Sequence, residues 1–229
     1  MTFEELQKNI GFTFKNPELL KLAFIHRSYL NEDKKEKSSN ERLEFLGDAI
    51  LSFLTSRFLY DTYPDYPEGV LTNIRSALVK TKSLSVIAKN LNLGDLLFLS
   101  RGEEDSGGRI NDSLLADVFE ALLGAIFLDS GIDKVDTFLG KFLFLHTQKI
   151  IESKSYIDFK SLLQEIIQEN SRVSPVYRVT KSEGPDHAKT FWVEVVAGDK
   201  ILGGGSGKSK QDAEQTAAKE ALEKMGKLW

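Results

Sequence analysis

Cysteine is absent from the 229 residues of this chain. That absence excludes disulfides, thiolate zinc sites and cysteine nucleophiles, and it suits a reducing compartment such as the cytoplasm, where we expect the protein to act. The N-terminal segment lacks the basic-then-apolar layout of a signal peptide, and no apolar run approaches the roughly eighteen residues that a membrane helix needs. We therefore expect no association with a membrane.

Excess positive charge is also lacking, since 30 Lys+Arg stand against 34 Asp+Glu and the net charge is −4. Such a balance at first disfavours a nucleic-acid partner. The first 150 residues hold 18 basic and 22 acidic side chains, whereas residues 151–229 hold 12 of each. The surplus acid therefore lies in the first part of the chain, where it needs an explanation.

The first part of the chain has a helical pattern of apolar residues, with spacings of three and four almost throughout. This pattern predicts an all-α domain over residues 1–151. Asn111 or Asp112 is the expected N-cap of one of its helices. The main predicted helices are Leu43–Tyr60, Ile74–Leu91, Ser113–Leu128 and Val135–Ile151.

The pattern changes after a short polar segment, which we interpret as a linker over residues 152–156. Residues 157–229 are predicted to form a small α+β domain with the order α-β-β-β-α, so the chain is multidomain. Its predicted helices are Phe159–Glu169 and Lys210–Met225. Its predicted strands are Val176–Lys181, Thr190–Ala197 and Lys200–Gly204.

Carboxylates interrupt two otherwise apolar helices of the first domain. Glu41, Glu44 and Asp48 fall within roughly 60° of one another on a helix, and Asp117 and Glu120 are also three residues apart. Hardly a basic residue lies beside them in the sequence. Two interpretations remain open: both helices have acidic edges that face solvent, or a hard cation such as Mg²⁺ or Mn²⁺ lies between them.

The amino-acid sequence of the first acidic segment indicates a particular protein family more specifically than the spacing of its acids does. Residues 41–48, Glu-Arg-Leu-Glu-Phe-Leu-Gly-Asp, resemble the signature of the ribonuclease III family. The likeness covers essentially the whole chain and has the layout of the bacterial two-domain class. The other landmarks of the family also occur in order along the chain: His26-Arg27-Ser28-Tyr29 before this segment, and Pro67-Glu68-Gly69, Leu71-Thr72, Leu115-Ala116-Asp117 and Glu120-Ala121 after it.

This resemblance implies roles for six acids. Asp48 and Glu120 would be the catalytic pair on which cleavage depends most, and Glu41 and Glu68 would support the site without direct ligation. The metal-binding acids would be Glu44, Asp48, Asp117 and Glu120.

The resemblance also implies a reaction. It predicts a magnesium-dependent endoribonuclease, with Mn²⁺ able to substitute, that hydrolyses double-stranded RNA by in-line attack. The products would carry 5′-phosphate and 3′-hydroxyl ends with short 3′ overhangs. We expect a homodimer formed through the helical domain and a role in processing ribosomal and messenger RNA precursors. Bound metal would also remove the objection that the net charge raises.

The second domain resembles the double-stranded RNA-binding domain in three segments, Phe159–Glu165, Gly184–His187 and Gly203–Glu214. Such domains bind the shape of A-form RNA through its minor grooves and phosphates. One departure is Gln211 where the family usually carries a second lysine, which predicts weaker binding. The residues implied to contact RNA are Ser161, Gln164, Pro185, His187, Lys208 and Lys210.

Two other features receive structural interpretations. The glycine-rich run at 203–209 resembles a nucleotide-binding P-loop, but Leu202 stands where that motif needs glycine, so we expect no nucleotide cofactor. His26 is expected to be a structural or capping residue.

The rival hypothesis is a catalytically silent double-stranded RNA-binding regulator. The presence of all six expected acids argues against it. A third hypothesis, an acidic helical scaffold, would make the eight-residue match accidental.

Overall fold

A computed structural model describes residues 1–33, 36–170, 173–185 and 188–227. The chain divides into two compact units, Met1–Tyr156 and Ile157–Trp229, each with its own buried apolar core. Residues 152–156, where we expected a linker, group with the first unit, and Tyr156 packs against the core of that unit.

The first unit is helical, as its apolar periodicity predicts. Short 3₁₀ segments join several of its helices, at Arg27–Asn31, Leu93–Leu96, Gly108–Ile110 and Phe144–His146. Its α-helices are α1 (Phe3–Ile10), α2 (Pro17–Leu22), α3 (Glu41–Thr62), α4 (Glu68–Val79), α5 (Thr81–Asn90), α6 (Arg101–Asp105), α7 (Asp112–Ser130), α8 (Ile132–Phe142) and α9 (Thr147–Glu152).

The prediction of one continuous helix is wrong for two ranges, because the structure has a break in each. The helix predicted over 74–91 is α4 followed by α5, with Lys80 in an extended conformation between them (ψ 147°). Ser83 stabilises this break, since its hydroxyl donates to the carbonyl of Ala77 at 2.7 Å. The helix predicted over 135–151 is α8, a 3₁₀ turn and α9. Apolar periodicity runs through both breaks because the helices on either side pack into one core.

The α7 helix is the central element of the first unit and is buried along most of its length. The predicted cap at its start is confirmed for Asn111, whose side chain accepts from the backbone N–H groups of Ser113 and Leu114. A Cβ on Gly124 would lie 3.0 Å from the carbonyl carbon of Leu43 on α3. Glycine is therefore needed for α3 and α7 to pack this closely.

The second unit has the predicted α-β-β-β-α order. Its antiparallel sheet has the strand order β1-β2-β3, and α11 packs against the sheet. Two strands are longer than predicted, because β1 continues to Glu183 and β3 to Gly207. The elements are α10 (Phe159–Asn170), β1 (Val176–Glu183), β2 (Thr190–Ala197), β3 (Lys200–Gly207) and α11 (Lys210–Lys224).

The glycine-rich run lies in β3 and packs against α11. A Cβ on Gly203 would lie 2.6 Å from the carbonyl oxygen of Ala217, and one on Gly205 would lie 2.7 Å from that of Ala213. Alternate glycines of the strand therefore face the small residues of the helix, and helix packing accounts for this motif. Within the described ranges, no helix combines the length and the apolar character that crossing a membrane requires.

Candidate active site

Three acids from the two central helices meet at the α3–α7 contact. Glu44 on α3 and Asp117 and Glu120 on α7 each offer a carboxylate oxygen, and these oxygens lie within 4.8 Å of one another. All three side chains are partly buried. In the part of the chain that the structure describes, none of them forms a hydrogen bond or an ion pair. Such an oxygen-only set suits a hard divalent cation.

Burial and mutual repulsion disfavour the charged forms of these acids. Burial, followed by the charges of Asp48, Glu44 and Asp117, raises the pKa of Glu120 to about 8. Burial and then the neighbouring carboxylates, Asp117 first, also raise the pKa of Glu44. A bound cation would reverse this penalty, because opposite charge favours the ionised carboxylate.

Asp48 lies outside the set of three acids that converge. It is exposed on α3, one helical turn after Glu44, and its charge is the largest electrostatic influence on Glu120 after burial. The charge of Asp48 therefore acts on Glu120, although the Asp48 side chain is exposed to solvent.

The two acids predicted to support the site occupy different places. Glu41 is exposed in the first turn of α3, where it accepts from the Ser39 hydroxyl at 2.7 Å. Glu68 begins α4, accepts from the Thr72 hydroxyl at 2.9 Å and lines a different groove, together with Phe53. Within one chain, Glu68 is not brought to the three converging acids.

Basic residues lie closer to the acids than the sequence indicates. His26 and Arg27 line a pocket of about 250 Å³ together with Glu44 and Asp117. Burial raises the pKa of Asp117, although His26 and Arg27 oppose that shift. The predicted capping role of His26 is confirmed, because its side chain accepts from the backbone N–H of Ser28. The signal that could have found Arg27 is its place in the His-Arg-Ser-Tyr landmark.

Asn40 fixes the start of α3 beside this pocket. No pattern in the sequence predicts this role. Asn40 is only 4% exposed, and its side-chain amide donates to the carbonyl of Ala23 at 3.2 Å. Its backbone N–H donates to Ile25 at 2.8 Å, and its carbonyl accepts from the N–H groups of Leu43 and Glu44, both at 2.9 Å. The segment before His26 is thus held against the helix that carries Glu44.

In the second unit, the described residues predicted to contact RNA are all exposed. Ser161 and Gln164 are three residues apart on α10 and so share a face of that helix. Pro185 follows β1, and His187 lies outside the described residues.

Lys208 and Lys210 flank the start of α11. Between them, Ser209 caps the helix by accepting from the N–H of Asp212 at 3.1 Å. The unpaired N–H groups of a first turn favour anions, although the carboxylate of Asp212 in that same turn opposes them.

Comparison with known families matches both units. Residues 16–147 match the Ribonuclease-III-like family, and residues 159–225 match the double-stranded RNA binding motif. The chain belongs to the ribonuclease III family. It is an endoribonuclease that acts on double-stranded RNA, as the resemblance predicts, and the family is metal-dependent in general.

Relatives in the ribonuclease III family match almost the full chain. Ribonuclease 3 of Listeria monocytogenes is 45% identical over 227 residues, which is 97% of this chain and 97% of the relative. Ribonuclease 3 of Treponema denticola is 43% identical over 221 residues, 96% of this chain and 90% of the relative.

A solved structure supports the fold of the ribonuclease III unit. The nuclease domain of ribonuclease III from Campylobacter jejuni is 38% identical, with a TM-score of 0.58. The match covers 62% of this chain and 95% of that domain. That structure is described as showing flexibility in a region involved in dimer formation.

Proposed function

We propose that this chain hydrolyses phosphodiester bonds of double-stranded RNA by metal-assisted in-line attack, with Mg²⁺ as its cofactor and Mn²⁺ able to substitute. The products would carry 5′-phosphate and 3′-hydroxyl ends with short 3′ overhangs. One observation carries the proposal: carboxylate oxygens of Glu44, Asp117 and Glu120 lie within 4.8 Å of one another without a partner among the described residues.

The residues present fit a divalent cation. Glu44, Asp48, Asp117 and Glu120 would hold it, since an oxygen-only donor set with no thiolate or imidazole selects hard cations over zinc. When bound, such a cation activates water and offsets negative charge on the phosphate undergoing attack.

The chain itself would orient these ligands. Asp48 and Glu120 are the proposed catalytic pair, and the backbone of Glu120 is fixed by close packing against Gly47 of α3. Glu120 is held where its charge is most disfavoured, so it has the most to gain from a bound cation. Glu41 and Glu68 would support the site through contacts with RNA and with other side chains.

The second unit would hold the duplex while the first unit cuts it. Ser161 and Gln164 would enter one minor groove, and Pro185 with His187 would enter the next. Lys208 and Lys210 would contact the phosphates between the two grooves. The exposure of the described members of this set is consistent with that role.

We further propose a homodimer formed through the helical unit, so that each active site cuts one strand. Apolar side chains that project from α3 support this proposal: Phe45, Phe53 and Tyr60 are 80%, 59% and 73% exposed. Exposed apolar side chains of this size along one helix mark an interaction surface. Phe53 and Tyr60 also line a groove of about 480 Å³ that includes Glu68.

The proposed setting is the cytoplasm, and the proposed natural substrates are duplex regions of ribosomal and messenger RNA precursors. The absence of cysteine is consistent with that compartment.

Cleavage of a defined RNA hairpin, with both product ends mapped, tests the proposal. With Mg²⁺ or Mn²⁺ we expect two staggered cuts that leave 5′-phosphates and 3′-hydroxyls, and with EDTA we expect none. Cleavage that persists in EDTA, or products with 3′-phosphates, would contradict the mechanism. Binding of the hairpin without cleavage under any divalent cation would instead favour the silent regulator.

A further inference from the structure

The pocket beside the three acids is lined by groups of both signs. Arg27 and His26 lie on its wall with Asn40, and Glu41, Glu44 and Asp117 complete the polar lining. The acids have a role in the proposed function, whereas Arg27 does not. Its place next to the metal-binding acids therefore needs a separate explanation.

The backbone around Arg27 is anchored on both sides. The N–H of His26 donates to the carbonyl of Phe98 at 3.1 Å, and the Ser28 hydroxyl accepts from the N–H of Ser100 at 3.0 Å. His26 also contacts the Ser28 hydroxyl through Nδ1 at 2.8 Å. The main chain at Arg27 is consequently held in position before any substrate arrives.

The guanidinium of Arg27, in contrast, is only loosely engaged. Its ion pair with Glu41 has an N–O distance of 3.8 Å, well beyond a charge-assisted hydrogen bond, and its side chain is 72% exposed. Its charge nevertheless acts on both Glu44 and Asp117. Arg27 is therefore a cation near the reacting groups, and among the described residues no acceptor lies at hydrogen-bond distance from its guanidinium.

We propose that this pocket is a subsite for a backbone phosphate of the RNA strand that flanks the scissile phosphate, and that Arg27 is the residue that binds it. This inference rests on the proposed function of the acid cluster. The planar fork of a guanidinium matches phosphate oxygens. His26 and Ser28 act as positioning residues, because they fix the backbone on either side of Arg27.

The charges of the pocket favour a phosphate within a chain over a free anion. Three carboxylates line the pocket and would repel an independent phosphate ion. A phosphate tethered to the strand already held at the acid cluster arrives at high effective concentration, which offsets that repulsion. The subsite therefore belongs to the RNA path and serves to align the scissile bond.

A coupling experiment between Arg27 and single RNA phosphates tests this directly. Hairpins are synthesised with a neutral methylphosphonate at one of the linkages next to the cut, on a 2′-O-methyl nucleotide, and are compared with the same nucleotide carrying an ordinary phosphodiester. Single-turnover cleavage is measured at increasing protein concentration for the wild type, Arg27→Gln, Arg27→Lys and Lys134→Gln. Lys134 is exposed on α8 and supplies a control for the loss of one positive charge.

We expect one flanking methylphosphonate to raise the half-saturating wild-type concentration about tenfold, the effect of one charge-assisted hydrogen bond. In Arg27→Gln the same methylphosphonate should have less than about a twofold effect, because its partner is already missing. Arg27→Lys should retain part of the coupling, and Lys134→Gln should behave as the wild type.

Equal effects of every methylphosphonate on the wild type and Arg27→Gln would overturn the subsite. So would an Arg27→Gln variant whose only change is half-saturation at a lower Mg²⁺ concentration, since Arg27 would then merely balance the acids. Failure of the wild type to cut any hairpin would instead contradict the proposed function itself, and the two failures are thereby distinguished.

Discussion

A Cβ on Gly47 would lie 2.6 Å from the carbonyl carbon of Glu120, and closer still to its carbonyl oxygen. The backbone of α7 therefore passes directly over the α3 glycine that separates Glu44 from Asp48. Without this close approach, the acids of the two helices would stand further apart. The absence of one side chain thus sets the spacing of the candidate metal site.

Gly47→Ala is expected to separate α3 from α7 and to disturb the acid cluster. Overpacking of this kind costs on the order of 1–3 kcal/mol, and cleavage should fall by about a hundredfold or more because ligand positions shift. Cleavage rates and urea denaturation measure the two effects.

Gly140→Ala is the matched control for that change. Gly140 lies in α8, and nothing is within 4 Å of the position its Cβ would take. This variant should cut at the wild-type rate and should be slightly more stable, by about 0.5–1 kcal/mol, because alanine favours a helix. An active, fully stable Gly47→Ala protein would show that the close approach is not needed.

The pKa of Glu120, raised to about 8, predicts how the metal-free protein responds to pH. The folded protein keeps a proton that the unfolded chain loses near the ordinary glutamate pKa of about 4.3. The proton retained by Glu120 therefore stabilises the folded protein. This contribution to the free energy of unfolding is complete below about pH 4.3 and is lost as the pH rises towards 8.

Thermal unfolding in EDTA between pH 5 and 9 measures this dependence. Relative to Glu120→Gln, which cannot ionise, the wild type should lose stability across the range, and Mg²⁺ should restore it at pH 8. Parallel curves for the two proteins in EDTA would contradict the buried, uncompensated state of Glu120.

The salt dependence of RNA binding tests the start of α11. Lys210→Gln should lower the slope of log affinity against log salt concentration by about 1, and Gln211→Lys should raise it by a similar amount. Lys200→Gln, an exposed change at the first residue of β3, is the control. If the salt-dependence slope is unchanged in both α11 variants, the start of this helix does not contact RNA phosphates.

The separate cores of the two units predict a stable nuclease unit on its own. A protein ending at Tyr156 keeps every described residue that packs against the first core, whereas ending at Ile151 would remove Tyr156 from it. Loss of residues 157–229 should weaken RNA binding about a hundredfold and should leave residual cleavage at low salt. Undiminished affinity would show that the second unit does not hold the duplex.

Periodicity and caps predict much of the fold from the sequence. The α7 helix and its Asn111 cap were both expected, because the apolar run and the cap are local signals. The break at Lys80 could not be predicted in this way. The hydrogen bond from Ser83 to Ala77 stabilises the break, but the apolar residues on either side keep their helical spacing. Breaks between helices that share one core leave little trace in periodicity.

The candidate site could be predicted only in part for a similar reason. Glu44, Asp117 and Glu120 stand out because they are acids in apolar helices. Arg27 does not, because tertiary packing brings it to the pocket from a distant segment. Nor does the sequence indicate that Glu68 lies away from the other acids within one chain.

Glu120→Gln tests most directly whether the acids on α3 and α7 form a metal-dependent cleavage site. Cleavage of a defined hairpin in Mg²⁺ and binding of the same hairpin should be measured together, with Glu18→Gln, an exposed change on α2, as control. We predict that Glu120→Gln cuts about a thousandfold or more slowly, because a metal site supplies several kcal/mol of transition-state stabilisation, while its affinity for RNA stays near that of the wild type. Cleavage by Glu120→Gln at the wild-type rate would contradict the account.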